Sequence, residues 1–279
     1  MAHPQIAAFA RMAKENAKPA RLLSGQATHL SRTMHDIRYD AIHDEIFVTN
    51  PFAQAILVFR GAAQGEEPPI RTIQGPHTQL DNPDRLTEDP VHDEILIPGG
   101  DRVLVFPRAG VGDVAPIRVI RGPDTKLDRA GSIAVDPVHN VIVVGNGTAA
   151  VSGTFGLETQ GSMTIYNRTD NGNVKPRAVI AGPKSGIFSI HQIQIYSPKG
   201  WIIAAQPGDS YANAEPEGVF VGVWSINDNG DVPPRWKIGG PKSLLKKPRG
   251  IALNPKNKEL IVADMRLNSV LTYYFPEIF

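Results

Sequence analysis

Pro116-Ile-Arg-Val-Ile-Arg-Gly-Pro123 is a phrase that this chain repeats along its length. It returns as Pro69-Ile-Arg-Thr-Ile-Gln-Gly-Pro76, as Pro176-Arg-Ala-Val-Ile-Ala-Gly-Pro183 and as Pro234-Arg-Trp-Lys-Ile-Gly-Gly-Pro241. A worn copy stands at Pro19-Ala-Arg-Leu-Leu-Ser-Gly25. The anchor prolines are 47 to 60 residues apart. A repeat of that length implies one supersecondary unit used again and again.

The unit reads as four short strands. The proline phrase is a strand ending in glycine, and a polar loop follows it. Next comes a strand such as Gly131–Asp136 or Arg249–Asn254, and then a turn rich in Asp, Asn and Pro, as in Asp89-Pro-Val-His-Asp-Glu94 and Asp136-Pro-Val-His-Asn140. An apolar strand follows, as at Ile46–Thr49, Ile95–Pro98, Ile142–Gly145, Trp201–Ala205 and Leu260–Ala263. A last strand closes the unit, as at Ile56–Phe59, Val103–Phe106, Met163–Tyr166, Val221–Ser225 and Val270–Tyr274. Four strands per repeat is the pattern of a propeller blade. The fold class expected is therefore all-β: a single five-bladed β-propeller of four-stranded antiparallel blades over residues 19–279.

After Gly240 the chain supplies three strands, at 249–254, 259–264 and 269–275. The missing fourth is expected from the N-terminal phrase at 19–24, which would close the fold and remove exposed sheet edges. Residues 1–18 are expected to form an N-terminal extension with a short helix over 4–17. There Ile6, Phe9, Ala10 and Ala13 share a helical face, and Pro19 stops the run.

Pro248-Arg-Gly-Ile-Ala-Leu-Asn254, with Ile261-Val-Ala-Asp264 and Asn268-Ser-Val270, resembles the NHL-repeat propellers, and Gly131-Ser-Ile-Ala-Val-Asp136 is a second partial match. The likeness covers roughly residues 19–275, strongest in blades 3 and 5 and weakest in blade 4. It implies the fold. It does not imply one activity, because such propellers include protein-binding modules, lyases and lactone hydrolases. NHL-type folds are mostly six-bladed, whereas five blades are counted here, and blades 3 and 4 carry insertions.

Composition narrows the function classes. With 29 basic and 28 acidic residues the net charge is +1, so no basic excess draws the chain to nucleic acid or an anionic membrane. There is no cysteine, which removes disulfides, thiolate metal ligands and thiol nucleophiles. No apolar run approaches a membrane span, and the first residues do not read as a signal peptide. A soluble protein is expected, cytoplasmic, or periplasmic or secreted where a signal has been removed.

Two insertions, Gly145–Gly161 and Gln206–Gly218, follow second strands and are expected on one face, as a lid or pocket wall. The innermost strands keep their apolar positions, Ile37, Leu86, Ile133, Ile193 and Ile251, which are read as facing the packing between blades. Their polar neighbours diverge and are read as lining a central channel: Asp36, Arg85, Ser132, Gln192 and Gly250, then Arg38, Thr87, Ala134, Gln194 and Ala252. At the mouth stand His35, Asp84, Gly131, His191 and Arg249.

Ligand-binding candidates are Asp36, Arg38, Asp84, Arg85, Gln192 and Arg249, with the arginines suited to a small polar or anionic molecule. His35 and His191 are the catalytic candidates, as acid–base groups for lyase, isomerase or hydrolase chemistry or as holders of a divalent metal. A protein-interaction scaffold is the alternative. An exposed apolar patch would favour it. His43, His92 and His139 occupy equivalent turns and are read as structural. Glu88 stands where other blades carry an apolar residue, so it needs a partner such as Arg102, or a raised pKa.

Overall fold

The structure, a computed structural model, describes residues 4–32, 34–147, 161–208 and 218–279. Among these residues helix is confined to short 3-10 turns. A two-stranded sheet pairs β1 (Gln5–Ala8) with β2 (Arg21–Ser24). Blade 1 is β3 (Ile37–Asp40), β4 (Glu45–Asn50), β5 (Ala55–Arg60) and β6 (Arg71–Gln74). Blade 2 is β7 (Thr87–Asp89), β8 (Glu94–Gly99), β9 (Arg102–Pro107) and β10 (Arg118–Arg121). Blade 3 is β11 (Ser132–Asp136), β12 (Val141–Asn146), β13 (Ser162–Asn167) and β14 (Ala178–Ile180). Blade 4 is β15 (Gln192–Tyr196), β16 (Trp201–Pro207), β17 (Val219–Ser225) and β18 (Trp236–Gly239). Blade 5 is β19 (Pro248–Asn254), β20 (Glu259–Asp264) and β21 (Ser269–Tyr274). The fold is a five-bladed β-propeller.

The residues divide into two compact units. One is Met1–Ile95 with Val105–Ile117, and the other is Leu96–Leu104 with Arg118–Phe279. In the first, Leu23, Leu30, Ile46, Val48, Leu57, Phe59 and Ala63 form an apolar cluster, with Ile6 and Met34 packed against it. In the second, one cluster centres on Ile165, Ile193, Phe220 and Trp224, and another on Val221, Ile251, Val262 and Ile278.

The repeated phrase has one structural job. Its glycine adopts a left-handed φ, +140° at Gly75 and +139° at Gly122, in a place where a Cβ would come within 2.4 Å of Asp113 or Asn173. Only glycine fits there. The Thr or Ser three residues on donates its hydroxyl back to the glycine carbonyl at 2.6–2.7 Å in all five copies. A side chain of the following blade, Glu66, Asp113, Asn173 or Asp231, then accepts an N–H of the turn. The strand itself bridges that same blade, through Leu23 to Gly65, Ile73 to Gly112, Ile120 to Gly172 and Ile180 to Gly230. The four outer strands β2, β6, β10 and β14 therefore each fasten to the blade that follows.

The N-terminus departs from expectation. No helix forms over 4–17: β1 is extended and pairs antiparallel with β2, Ile6 opposite Leu23. Phe9, which a helix would have buried, is 54% exposed. Only isolated turns follow, closed by Ala13 N–H to the Ala10 carbonyl and Ala17 N–H to the Lys14 carbonyl, and Glu15 has a positive φ of 52°. The physical reason is tertiary. Ile6 lies thirteen residues before Pro19, as Ile56, Val103, Met163 and Val221 lie before Pro69, Pro116, Pro176 and Pro234. Ile56, Met163 and Val221 face Ile73, Ile180 and Ile238 in the register that joins Ile6 to Leu23. So β1 is the third strand of a blade and β2 its fourth, and packing overrides a marginal helical pattern. β2 finds its partner in β1, while β19–β20–β21 is three-stranded, with Val270 66% exposed.

The turns between first and second strands are built as expected. Asp40, Asp89 and Asp136 are buried, and each accepts two backbone N–H groups two and three residues on. Their second oxygen meets Nδ1 of His43, His92 or His139 at 2.7–2.8 Å. The aspartate holds the turn and the imidazole leans on it. Replacing all three histidines by Asn is expected to change stability by less than about 1 kcal/mol. Asp89→Ala, which strands two donors, is expected to cost about 1–3 kcal/mol. Urea unfolding of the two variants checks this, and a costlier histidine variant would shift the weight of the turn to the ring.

Candidate functional site

In the first unit, five of the expected site residues come together where β3 and β7 begin. His35 Nδ1 bonds the Asp84 carboxylate, and the two side chains are 49% and 40% exposed. Beneath them Arg85 is buried. Its Nη1 donates to the carbonyls of His35 at 3.3 Å and Asp84 at 3.1 Å, and it lies 3.2 Å from Asp84 Oδ2. Thr49 Oγ1 ties the strands together, accepting Asp36 N–H at 3.1 Å and donating to the Asp84 carbonyl at 3.2 Å. Burial pulls the Arg85 guanidinium below its ordinary range, with Asp36 opposing the shift and Arg38 adding to it.

Asp36 and Arg38 have a second task. Both are buried, and they straddle one residue of the next blade: Asp36 Oδ2 accepts Leu86 N–H at 3.1 Å, and Arg38 Nε donates to the Leu86 carbonyl at 3.0 Å. The second unit repeats the device with neutral groups. Gln192 Oε1 accepts Ile251 N–H, and Gln194 Nε2 donates to the Ile251 carbonyl at 3.2 Å. These polar pairs, read from sequence as channel lining, thus clasp the neighbouring innermost strand. The apolar partner positions also need correcting. Leu86, Ile133, Ile193 and Ile251 are buried, but Ile37 is 47% exposed.

His191 stands at the start of β15, its N–H bonded to the Ala205 carbonyl at 3.0 Å. Arg249 sits at a register irregularity of β19 between Pro248 and Gly250. Both belong to the second unit and His35 to the first. Among the described residues, no three His, Asp or Glu side chains are grouped to hold a metal. Most of the two insertions, residues 148–160 and 209–217, lies outside the described residues.

Glu88 is on the Leu86 face of β7. The residue is half-buried, yet its Oε2 is sealed from solvent and has no hydrogen-bond partner. Burial pushes its pKa up to about 7. Arg38 works against the rise, and Asp36 and Asp40 add to it. Arg38, on blade 1, is thus the opposing charge, in place of the expected Arg102.

A feature not foreseen from sequence lies on the other face of β3. Ile6, Ala7, Ala8, Arg21, Ile37 and Tyr39 line a cleft of about 470 Å³. Tyr39 is 55% exposed, and its hydroxyl donates to Asp44 at 2.8 Å. The thirteen-residue spacing to Pro19 was the available signal.

No family model and no curated protein matches the chain. Among solved structures it is similar to Kuenenia stuttgartiensis hydrazine synthase, with a TM-score of 0.58 and 12% identity over 85% of this chain. The match spans 58% of that protein's chain. It is also similar to a chain of a nidogen/laminin complex, with a TM-score of 0.53 and 10% identity over 86% of this chain and 80% of that one. At such identities the likeness concerns the fold alone. No helix among the described residues is long and apolar enough to cross a membrane.

Proposed function

We propose that this propeller binds a small polar or anionic molecule where β3 and β7 begin, at His35, Asp84 and Arg85. The observation that carries the proposal is a half-exposed imidazole–carboxylate pair set over a buried guanidinium. Desolvation makes the Arg85 charge costly, and an anion at the lip would offset that cost. The bond from Asp84 to Nδ1 fixes the orientation of the His35 ring, as an orienting carboxylate does for a general acid–base histidine. The NHL likeness supports the setting without selecting an activity, so lyase, isomerase or hydrolase chemistry rests on this pair alone.

His35→Ala and Asp84→Asn are expected to keep the fold, because both side chains are about half exposed and neither belongs to the apolar core. Thermal shift against phosphate and a panel of mono- and dicarboxylates is expected to find stabilisation in the parent protein. Affinity for the same compound should fall at least tenfold, or about 1.4 kcal/mol, in each variant. Binding that survives both substitutions would place the ligand elsewhere.

A protein-binding reading is favoured by one observation, the exposed apolar cleft beside β1.

A further inference from the structure

We propose that an anion held at His35, Asp84 and Arg85 is taken up together with a proton, and that the proton lodges on Glu88. The inference rests on the binding reading above and adds its regulation by pH.

The groups concerned sit on two strands of the first unit. Asp36, Arg38 and Asp40 lie on or just before β3, and Asp84, Arg85, Glu88 and Asp89 lie on or just before β7. Asp40 and Asp89 are committed to their turns, where each accepts two backbone N–H groups and meets a histidine Nδ1. Asp36, Arg38 and Arg85 remain, and all three are buried. Ionised, they carry one net positive charge. The Leu86 peptide groups hold Asp36 at 3.1 Å and Arg38 at 3.0 Å, and Arg38 Nε lies 3.6 Å from Asp36 Oδ2. Both side chains are thus fixed in place.

Glu88 sets the charge of this group. Its Oε2 is sealed from solvent and has no hydrogen-bond partner. The charges that act on it from β3 are Arg38, Asp36 and Asp40. On β8, which pairs with β7, the ionisable residue is Glu94, itself buried. Ionised, Glu88 cancels the net positive charge of Asp36, Arg38 and Arg85. Protonated, it leaves that charge to an incoming anion. Burial places the change at about pH 7, against the pull of Arg38. Other innermost strands carry Tyr39, Val135, Ile195 and Leu253 at this position. The titrating group is therefore particular to the strand that brings Asp84 and Arg85.

The coupling runs through Asp36 and Arg38, which act on both ends. Asp36 favours the Arg85 charge and opposes the Glu88 charge, and Arg38 does the reverse. An anion beside Arg85 adds negative charge to this poorly solvated set, which makes the proton on Glu88 harder to lose. By reciprocity the proton tightens the anion by the same factor. Affinity is then highest below about pH 7, where Glu88 already holds its proton, and falls as pH rises through that value. An imidazole also gains charge on acidification, so the part played by Glu88 is read as a difference between parent and variant.

Glu88→Gln is that variant, a fixed copy of the protonated side chain. Sulfate and oxalate are the probes, because neither exchanges a proton with water between pH 6 and pH 8.5. Calorimetric titration of the full chain at constant ionic strength gives the affinities. At pH 8.5 the variant is expected to bind at least about threefold more tightly than the parent, and at pH 6 the two should agree within about twofold. Near pH 7 the parent should take up about 0.3 of a proton more per anion than the variant, read from the dependence of the heat on the buffer. His35→Ala and Asp84→Asn should weaken both probes at either pH. If neither probe binds the parent, or if these two variants bind as the parent does, the site itself falls and this proposal with it. If the probes are lost from those variants, yet the ratio of Glu88→Gln to parent is the same at both pH values, the proton coupling alone is overturned.

Discussion

A protein lacking residues 1–25 is expected to melt more than about 10 °C below the parent and to aggregate. The deletion removes β1 and β2 together. Leu23, only 2% exposed, leaves a cluster containing Leu30, Ile46, Val48, Leu57 and Phe59. The ties from β2 to Gly65, and from Ala27 to Glu66 just beyond it, are lost or weakened. Truncating one buried leucine costs about 2–5 kcal/mol, and removing the whole strand pair should exceed about 5 kcal/mol. At about 2–4 °C per kcal/mol for a chain of this size, that gives the stated shift. Leu23→Ala alone should show the smaller loss with no change in oligomeric state. Calorimetry with light scattering measures both. An unchanged melting temperature and a monomeric truncated protein would mean that the β1–β2 pair contributes nothing to the fold.

The blades were legible because their signals are local and repeated. Proline sets the start of the outer strand, glycine supplies a φ closed to other residues, and Thr or Ser closes the turn onto the glycine carbonyl. Second and third strands announced themselves as apolar runs bounded by Asx and Pro. The N-terminus was misread although its signal was present. Ile6-Ala-Ala-Phe9 sits at the same distance from Pro19 as Ile56-Leu-Val-Phe59 does from Pro69. Four apolar positions at helical spacing look stronger than one strand of a repeat until the repeat distance is measured.

For the candidate site, which side chains are neighbours was more legible than what each of them does. Polar residues at innermost-strand positions did come together, but alternation along a strand tells only which side chains share a face. It does not tell whether that face meets solvent or a neighbouring backbone. Asp36 and Arg38 meet the Leu86 peptide groups, and Gln192 and Gln194 meet those of Ile251. One pair is charged and the other neutral, yet the geometry is the same. Divergence at these positions therefore reflects several side chains able to supply one acceptor and one donor. His35 and Asp84 are different, since their side chains remain about half exposed.

Glu88→Gln is expected to stabilise the protein at pH 8 and to have little effect at pH 5. The carboxyl is held between blades 1 and 2, with Oε2 sealed and without a hydrogen-bond partner. Burial raises its pKa from 4.5 to about 7 in the folded state, with Arg38 opposing and Asp36 and Asp40 assisting. A raised folded pKa means that the native state binds the proton more tightly than the unfolded chain. The contribution is then complete below about pH 4.5 and is lost as pH rises through about 7. A shift of that size corresponds to about 3 kcal/mol between the two limits. Glutamine keeps the shape and carries no charge at either pH, so the variant should show a flatter stability profile across that window. Carboxylates held low by arginine, such as Glu45 beside Arg71 and Arg108, titrate below it and cancel in the comparison. Urea unfolding of parent and variant at pH 5 and pH 8 gives the difference directly. Equal differences at the two pH values would show that Glu88 is ionised in the native state throughout, with Arg38 outweighing its burial.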